Sequence, residues 1–285
     1  MRLDPVAIEN LIAQFIAEDM GRGDVTTDAI LTQEVKARGR FLAKQELMLA
    51  GLEVAEMVFQ WFDPSIQIQT FYLDGDAVPA GKEIARITGP GHMLLAGERV
   101  ALNLLQRMSG IATLTRAFAQ AIEGTGAVIA DTRKTAPGLR LLDKYAVRIG
   151  GGHNHRFGLD DGLLIKDNHI ALVGGIGPAL RAAKKNASHL LKIEIEVSSP
   201  EQVREAVAEG ADALLLDNMT PEQARECVAL ARELEPPGRQ TLIEVSGNIT
   251  LDTARAYAEA GANLISVGAL THSVKAADIS LKLSL

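Results

Sequence analysis

Charged side chains recur at the ends of apolar runs in this sequence. The run 127–131 ends at Asp131 and leads into Thr132-Arg133-Lys134, and the run 163–166 ends at Lys166, followed by Asp167-Asn168-His169. The run 192–197 carries Glu194 and Glu196, 213–217 ends at Asp217-Asn218, 241–245 carries Glu244 with Ser246 just beyond, and 263–267 gives way to Gly268. Sorted by sign, Arg133, Lys134, Arg140, Lys144, Arg148, His155, Arg156 and Lys166 all fall between 133 and 166, and Glu196 and Asp217 follow. A basic cluster of this kind suits an anionic small molecule, because the planar arginine fork takes a carboxylate or phosphate bidentately and lysine adds a point charge. Two carboxylates at neighbouring strand ends suit Mg²⁺, a hard cation that prefers oxygen ligands. The bland alternative is a structural salt-bridge network, and it is weakened because the basic groups outnumber the nearby acids.

These groups share one mouth only if the runs are parallel strands. Beyond about residue 123 the texture is βα, with helical stretches near 178–187, 200–209, 221–235 and 250–260 between the later runs. Ser199-Pro200, Thr220-Pro221 and Thr250 stand where helix caps belong. In a parallel barrel, catalytic groups sit at the C-terminal ends of strands. The side-chain period of two lets Glu194 and Glu196 both point into the barrel. The segments SGN (246–248) and VGA (267–269) are then the last two strand-to-helix turns, a frequent phosphate site in such barrels. The glycine-rich GGGHNHRFG (150–158) places small residues where backbone passes close to something. The strand count falls short of eight, so the barrel is expected to be incomplete, and no GxGxxG follows the first strand to suggest a dinucleotide-binding half.

The first part of the chain reads differently. Residues 36–43 and 66–73 alternate as half-buried strands, 50–62 is helical, and Asp74-Gly75-Asp76 and Gly89-Pro90-Gly91 are turns. The stretch 74–89 resembles the hammerhead of lipoyl and biotinyl carriers in fold, without their exposed lysine hairpin. A long helical pattern covers 97–123, and Gly110 within it predicts a break into two helices. In the tail, Ile279, Leu281, Leu283 and Leu285 alternate with Ser280, Lys282 and Ser284, which predicts a strand returning to the N-terminal sheet. The expected fold is therefore α/β, an incomplete TIM-like α/β barrel over 111–275 with an N-terminal α+β sandwich (hammerhead-like) over 1–110, joined by 276–285.

Composition excludes several classes. The chain has 285 residues, 47% hydrophobic and 23% charged, which argues against disorder. Its formal charge of −7 argues against a nucleic-acid partner held by bulk charge. One cysteine, Cys227, permits no internal disulfide and suits a cytoplasmic location. No apolar run approaches the roughly 18 residues of a membrane span, so no membrane association is expected. The first 21 residues read as an amphipathic surface helix, because Glu9, Glu18 and Asp19 interrupt the apolar pattern of a signal peptide.

At its motifs the sequence resembles the quinolinate phosphoribosyltransferase family, nearly end to end. The matching stretches are EDMGRGDVTTDAI (18–30), ERVALNLLQRMSGIATLT (98–115), DTRKTAPGLRLLDKYAVRIGGGHNHRFGL (131–159), LIKDNHI (164–170), LLLDNM (214–219), EVSGNIT (244–250) and ISVGALTHS (265–273). The resemblance implies decarboxylating phosphoribosyl transfer to quinolinate in NAD biosynthesis. It also implies a homodimer, with a higher oligomer left open, whose active site the partner's N-terminal region completes. Motif by motif it gives Arg133 and Lys134 to quinolinate carboxylate and phosphoribosyl pyrophosphate, and His155, Arg156 and Lys166 to the pyridine-dicarboxylate pocket. Arg99 would enter from the other subunit. Glu196 and Asp217 would serve Mg²⁺, phosphoribosyl pyrophosphate and the ribose hydroxyls, while Ser246, Gly247, Asn248 and Gly268 would hold the 5′-phosphate. Lys134, Lys166, Glu196 and Asp217 are the expected catalytic groups. Asn248 stands where the family's SGG has a second glycine, and asparagine tolerates positive φ better than most residues.

Two rivals stand beside this. A paralogue associated with molybdenum transport shares ERxALNLLQ and the HR motif but resembles this chain less around LIKDNH. A Schiff-base aldolase is suggested by Lys166 at a strand end. Cys227 and Met108 are expected to be packing residues, and Trp61 and Phe62 core. His153 receives no role, and His92, His169, His189 and His272 lack metal-like spacing.

Overall fold

A computed structural model describes residues 3–31 and 33–285, so Met1, Arg2 and Thr32 of the expected N-terminal domain lie outside the described residues. In chain order the first elements are α1 (Pro5–Met20), α2 (Val25–Ile30), β1 (Lys36–Ala43), β2 (Leu47–Met48), α3 (Leu52–Phe62), β3 (Gln67–Thr70), β4 (Ala77–Val78), β5 (Glu83–Pro90) and α4 (Gly91–Ala121). There follow β6 (Val128–Ala130), α5 (Arg140–Ile149), β7 (Leu163–Ile165), α6 (Asp167–Val173), α7 (Ile176–Asn186), β8 (Ile193–Val197) and α8 (Pro200–Ala208). The last are β9 (Ala213–Asp217), α9 (Pro221–Leu234), β10 (Leu242–Ser246), α10 (Leu251–Glu259), β11 (Leu264–Ser266), α11 (Ala269–His272) and β12 (Ile279–Ser284).

Two compact units result, one of residues up to 116 with 136–151 and 273–285, the other of 117–135 and 152–272. In the first, an antiparallel sheet runs in the order β12-β1-β5-β3, with β2 and β4 as a separate small ladder. Strand β1 alternates exposed and buried residues, putting Ala37, Phe41 and Ala43 in the core. The terminal strand pairs with β1, Phe41 opposite Leu281. Only Ile279 and Leu281 of its apolar row are buried, however, while Leu285 is 89% exposed beyond the strand's end. Trp61 also departs from expectation: it is about half exposed and packs edge-on against Phe62.

Helix α4 runs unbroken through Gly110. Glycine there answers a packing demand, because a Cβ would overlap the carbonyl oxygen of Lys275 and lie 3.2 Å from Ala276 Cα. Helix α5 carries Asp143, fully buried and bound bidentately by Arg107 at 2.8 Å through each oxygen.

The second unit is built on a parallel sheet in the order β6-β11-β10-β9-β8-β7, an incomplete α/β barrel with β6 and β7 at its ends. Its strands are largely apolar, as strands covered on both faces are, and the charged exceptions are Glu194 and Glu196 on β8, Asp217 on β9 and Glu244 on β10. Helices α8 and α9 begin where Ser199 and Thr220 cap them, each with proline in the first turn. At the β6 end, His153 pairs with β6 through its backbone, donating to Ile129 O at 2.7 Å and accepting from Asp131 N at 3.1 Å. That is the structural role of a histidine to which sequence assigned none.

Candidate active site

The C-terminal ends of the second unit's strands open into a cavity of about 450 Å³. Arg133 and Lys134 enter it after β6, His155 and Arg156 from the glycine-rich loop, and Lys166 after β7. Glu196 of β8, Asp217 of β9 and Ser246 of β10 face them. Sequence reasoning named all eight. It assigned no role to Thr132, His169 or Glu244, which also line the cavity. His169 was legible in the motif around Lys166: its Nδ1 accepts the Lys166 N–H at 2.9 Å and so caps α6.

The loops are shaped by local hydrogen bonds. Asp131, fully buried, accepts the His155 N–H at 2.8 Å and Asn154 Nδ2 at 2.6 Å, fixing the segment that delivers His155 and Arg156. Thr132 Oγ1 accepts the Lys134 N–H at 3.0 Å, and Thr271 Oγ1 donates to the Lys134 carbonyl at 2.8 Å. Lys166 Nζ is paired with Glu196 Oε1. Glu196 Oε2 also accepts the Asp167 N–H at 3.3 Å. Lys166 is about half exposed, which is not the dry or cation-flanked setting a Schiff-base lysine requires.

Electrostatics divide the site in two. Burial, and then the charge of Arg133, lower the pKa of Arg156, so two guanidinium groups face the same space. Arg156 Nη1 donates to Gly162 O at 2.9 Å, while its buried Nε has no protein partner. Deeper in the bore, His155 Nε2 lies 3.3 Å from Glu194 and 3.2 Å from Glu244. Burial works to lower the His155 pKa, but the hydrogen bonds to both glutamates outweigh it and push the value up to about 10. Burial raises Glu194 to about 7, opposed by His155 and assisted by Glu244. Glu244 is held below the usual carboxylate range by His155, against its own burial.

Of the expected phosphate-binding residues, Ser246 lines the cavity, and Gly247, Asn248 and Gly268 are not among its lining residues. Asn218 and Asn248 both adopt positive φ, 53° and 50°, and Gly247 sits at 102°. Asn248 thus takes up the conformation that a glycine would give, and its Nδ2 lies 3.3 Å from Asn218 Oδ1. Any Cβ at Gly268 would crowd His272 Cδ2 at 3.0 Å and Lys134 Cδ at 3.3 Å. Arg99 belongs to the first unit, exposed on α4, and Arg140, Lys144 and Arg148 lie on α5 of that unit, Lys144 being only 1% exposed. The expected basic cluster is therefore smaller at the cavity than along the sequence.

A barrel mouth in which guanidinium, imidazole and ammonium groups face two strand-end carboxylates defines an enzyme for polyanionic substrates. The family description "Quinolinate phosphoribosyl transferase, C-terminal domain" matches residues 111–282, and its N-terminal counterpart matches 24–109. A Bacillus subtilis protein named probable nicotinate-nucleotide pyrophosphorylase [carboxylating] is 44% identical, covering 99% of this chain and 96% of its own length. The chloroplastic nicotinate-nucleotide pyrophosphorylase [carboxylating] of Arabidopsis thaliana is 42% identical over 97% of this chain and 82% of its own. The crystal structure of NadC from Streptococcus pyogenes superposes with a TM-score of 0.93 at 39% identity, covering 100% of this chain and 99% of that one. The chain belongs to the quinolinate phosphoribosyltransferase family. No helix among the described residues is long and apolar enough to cross a membrane.

Proposed function

We propose that this protein transfers the phosphoribosyl group of phosphoribosyl pyrophosphate to quinolinate with loss of CO₂, giving nicotinate mononucleotide and pyrophosphate for NAD biosynthesis. The observation that carries the reading is the juxtaposition of Arg133 and Arg156 in one cavity with Lys134, Lys166, Glu196 and Asp217. Two like charges held together, one with a buried unpartnered Nε, are stabilised by an anion between them.

Arg133, Arg156 and Lys166 would hold the pyridine dicarboxylate, with His155 lining the pocket beneath them, and Lys134 would hold the pyrophosphate. The pyridine nitrogen attacks the anomeric carbon while the bond to pyrophosphate breaks. Positive charge grows on the ribose ring at that point, and Glu196 and Asp217 face it. Preorganised charge of this kind is worth more in a partly dry cavity than in water. Ribosylation leaves the ring nitrogen cationic, so its charge stabilises the carbanion left on the adjacent ring carbon when the carboxylate departs as CO₂, and a proton from solvent then takes the vacated position. The residues contribute positioning and electrostatics, and no covalent nucleophile is needed.

Glu196 and Asp217, on adjacent strands and opening into the same cavity, offer the hard oxygen donors that suit Mg²⁺. When bound, Mg²⁺ neutralises charge on the leaving pyrophosphate. Ser246, Gly247, Asn248 and Gly268 would take the 5′-phosphate. The working form is a cytoplasmic homodimer in which the partner's Arg99 completes the dicarboxylate pocket. The test is incubation of purified protein with Mg²⁺, phosphoribosyl pyrophosphate and quinolinate, following nicotinate mononucleotide and CO₂. Product with quinolinate and none with nicotinate is expected, and no product from folded protein overturns the reading.

A further inference from the structure

The bore beneath the mouth holds three groups to which the reaction above gives incomplete roles. His155 Nε2 stands between Glu194 Oε2 and Glu244 Oε2, and one ligand atom from each of the three residues lies within 4.8 Å of the others. His155 Nδ1 is occupied as well, accepting the backbone N–H of Arg156 at 2.8 Å. An imidazole with both nitrogens engaged cannot rotate without losing a hydrogen bond. Glu244 is 2% exposed, and an acid so buried beside another acid is costly unless each is hydrogen-bonded. The same cluster separates two spaces. His155 and Glu244 line the mouth cavity, and with Glu194 they also line a second cavity of about 410 Å³ among Leu163, Leu242 and Leu264 at the starts of the strands.

We propose that Glu194 and Glu244 are positioning residues: by gripping His155 from below they fix the step from His155 to Arg156, and with it the direction in which Arg156 enters the mouth. They touch no substrate. The backbone of His155 is pinned independently by Asp131, so the ring is the part of this segment that the glutamates control. Their effect falls on the anion held at the Arg133 and Arg156 side, and not on the ribose phosphate at the Ser246 and Gly268 loops. This inference rests on the reading that Arg133 and Arg156 bind the dicarboxylate.

The test compares Glu194→Gln, Glu194→Leu, Glu244→Gln and Glu244→Leu, each substrate being varied separately. Glutamine keeps an oxygen that accepts from Nε2, and leucine keeps bulk alone. The leucine variants are expected to raise the KM for quinolinate about tenfold, the worth of one hydrogen bond. The KM for phosphoribosyl pyrophosphate should stay unchanged, and the glutamine variants should stay near wild type. Equal rises in both constants, or leucine variants that bind quinolinate like wild type, overturn the proposal. Should Glu244→Leu fail to fold, Glu194→Leu carries the comparison from the less buried side. A readout without substrate is the His155 ring in protein labelled with ¹⁵N-histidine. A single tautomer protonated at Nε2 is expected in wild type and a tautomer mixture in the leucine variants, and an unchanged ring signal in those variants also overturns the proposal. Failure of wild type to turn over quinolinate is a separate result and counts against the reaction.

Discussion

Gly247 and Asn218 meet at the tips of β10 and β9 so closely that a Cβ on Gly247 would overlap Asn218 Oδ1 and lie 2.7 Å from its Cγ. The Asn218 N–H donates to Ser246 O at 2.9 Å, so the two loops are one unit. The Gly247→Ala variant should therefore lose phosphate binding beyond the cost of a left-handed non-glycine residue, about 1–2 kcal/mol. We expect the KM for phosphoribosyl pyrophosphate to rise at least about tenfold, the factor carried by 1.4 kcal/mol. The KM for quinolinate should move little. Steady-state kinetics with each substrate varied checks this.

Replacing Arg133 or Lys166 by alanine should cost turnover at least about a hundredfold, the usual cost of one preorganised electrostatic group. Both side chains stand at the cavity and outside the hydrophobic core, so thermal unfolding should stay near wild type. Near-normal turnover by either purified variant would remove these residues from the site.

The cavity was legible where charge sits at the end of an apolar run. Arg133, Lys166, Glu196 and Asp217 could be read as one mouth because strand ends in a parallel sheet converge. Two things were hidden. Glu194 and Glu244 are 50 positions apart in the sequence, and only the stagger of the strands brings them to one imidazole. Gly110 read as a helix break, because a sequence shows the propensity penalty of glycine and not the Lys275 carbonyl packed against it. The converse error came from Lys144, whose charge counted toward the cluster although its helix buries it.

Gly110 allows a test in which propensity and packing oppose each other. Alanine in a helix interior gains about 0.8–1.0 kcal/mol over glycine. Overpacking costs about 1–3 kcal/mol, and here the obstacle is backbone, which yields less readily than a side chain. Packing should win, and Gly110→Ala should unfold at lower temperature than wild type. A raised midpoint would mean that the tail around Lys275 moves freely.

The His155, Glu194 and Glu244 cluster also predicts a pH dependence of stability. His155 is raised to about 10 from an ordinary value of 6.5, and Glu194 to about 7 from 4.5, so folding takes up a proton that the unfolded chain releases. A raised folded-state pKa stabilises fully below the unfolded value, and that contribution is lost as pH climbs through the folded value. For His155 the window of loss runs from 6.5 to about 10. Glu244 is shifted the other way and costs stability only as pH falls below the ordinary carboxylate range. The protons belong to the cluster as a whole. The Arg156 N–H on Nδ1 keeps that nitrogen unprotonated, so the extra proton rests between the two carboxylates. Denaturant unfolding from pH 6.5 to 10 should show wild-type stability falling by at most about 1.4 kcal/mol per pH unit, the limit for one proton. Glu194→Gln, which cannot take up that proton, should show a flatter curve, and parallel curves for the two proteins would mean that the cluster holds no extra proton.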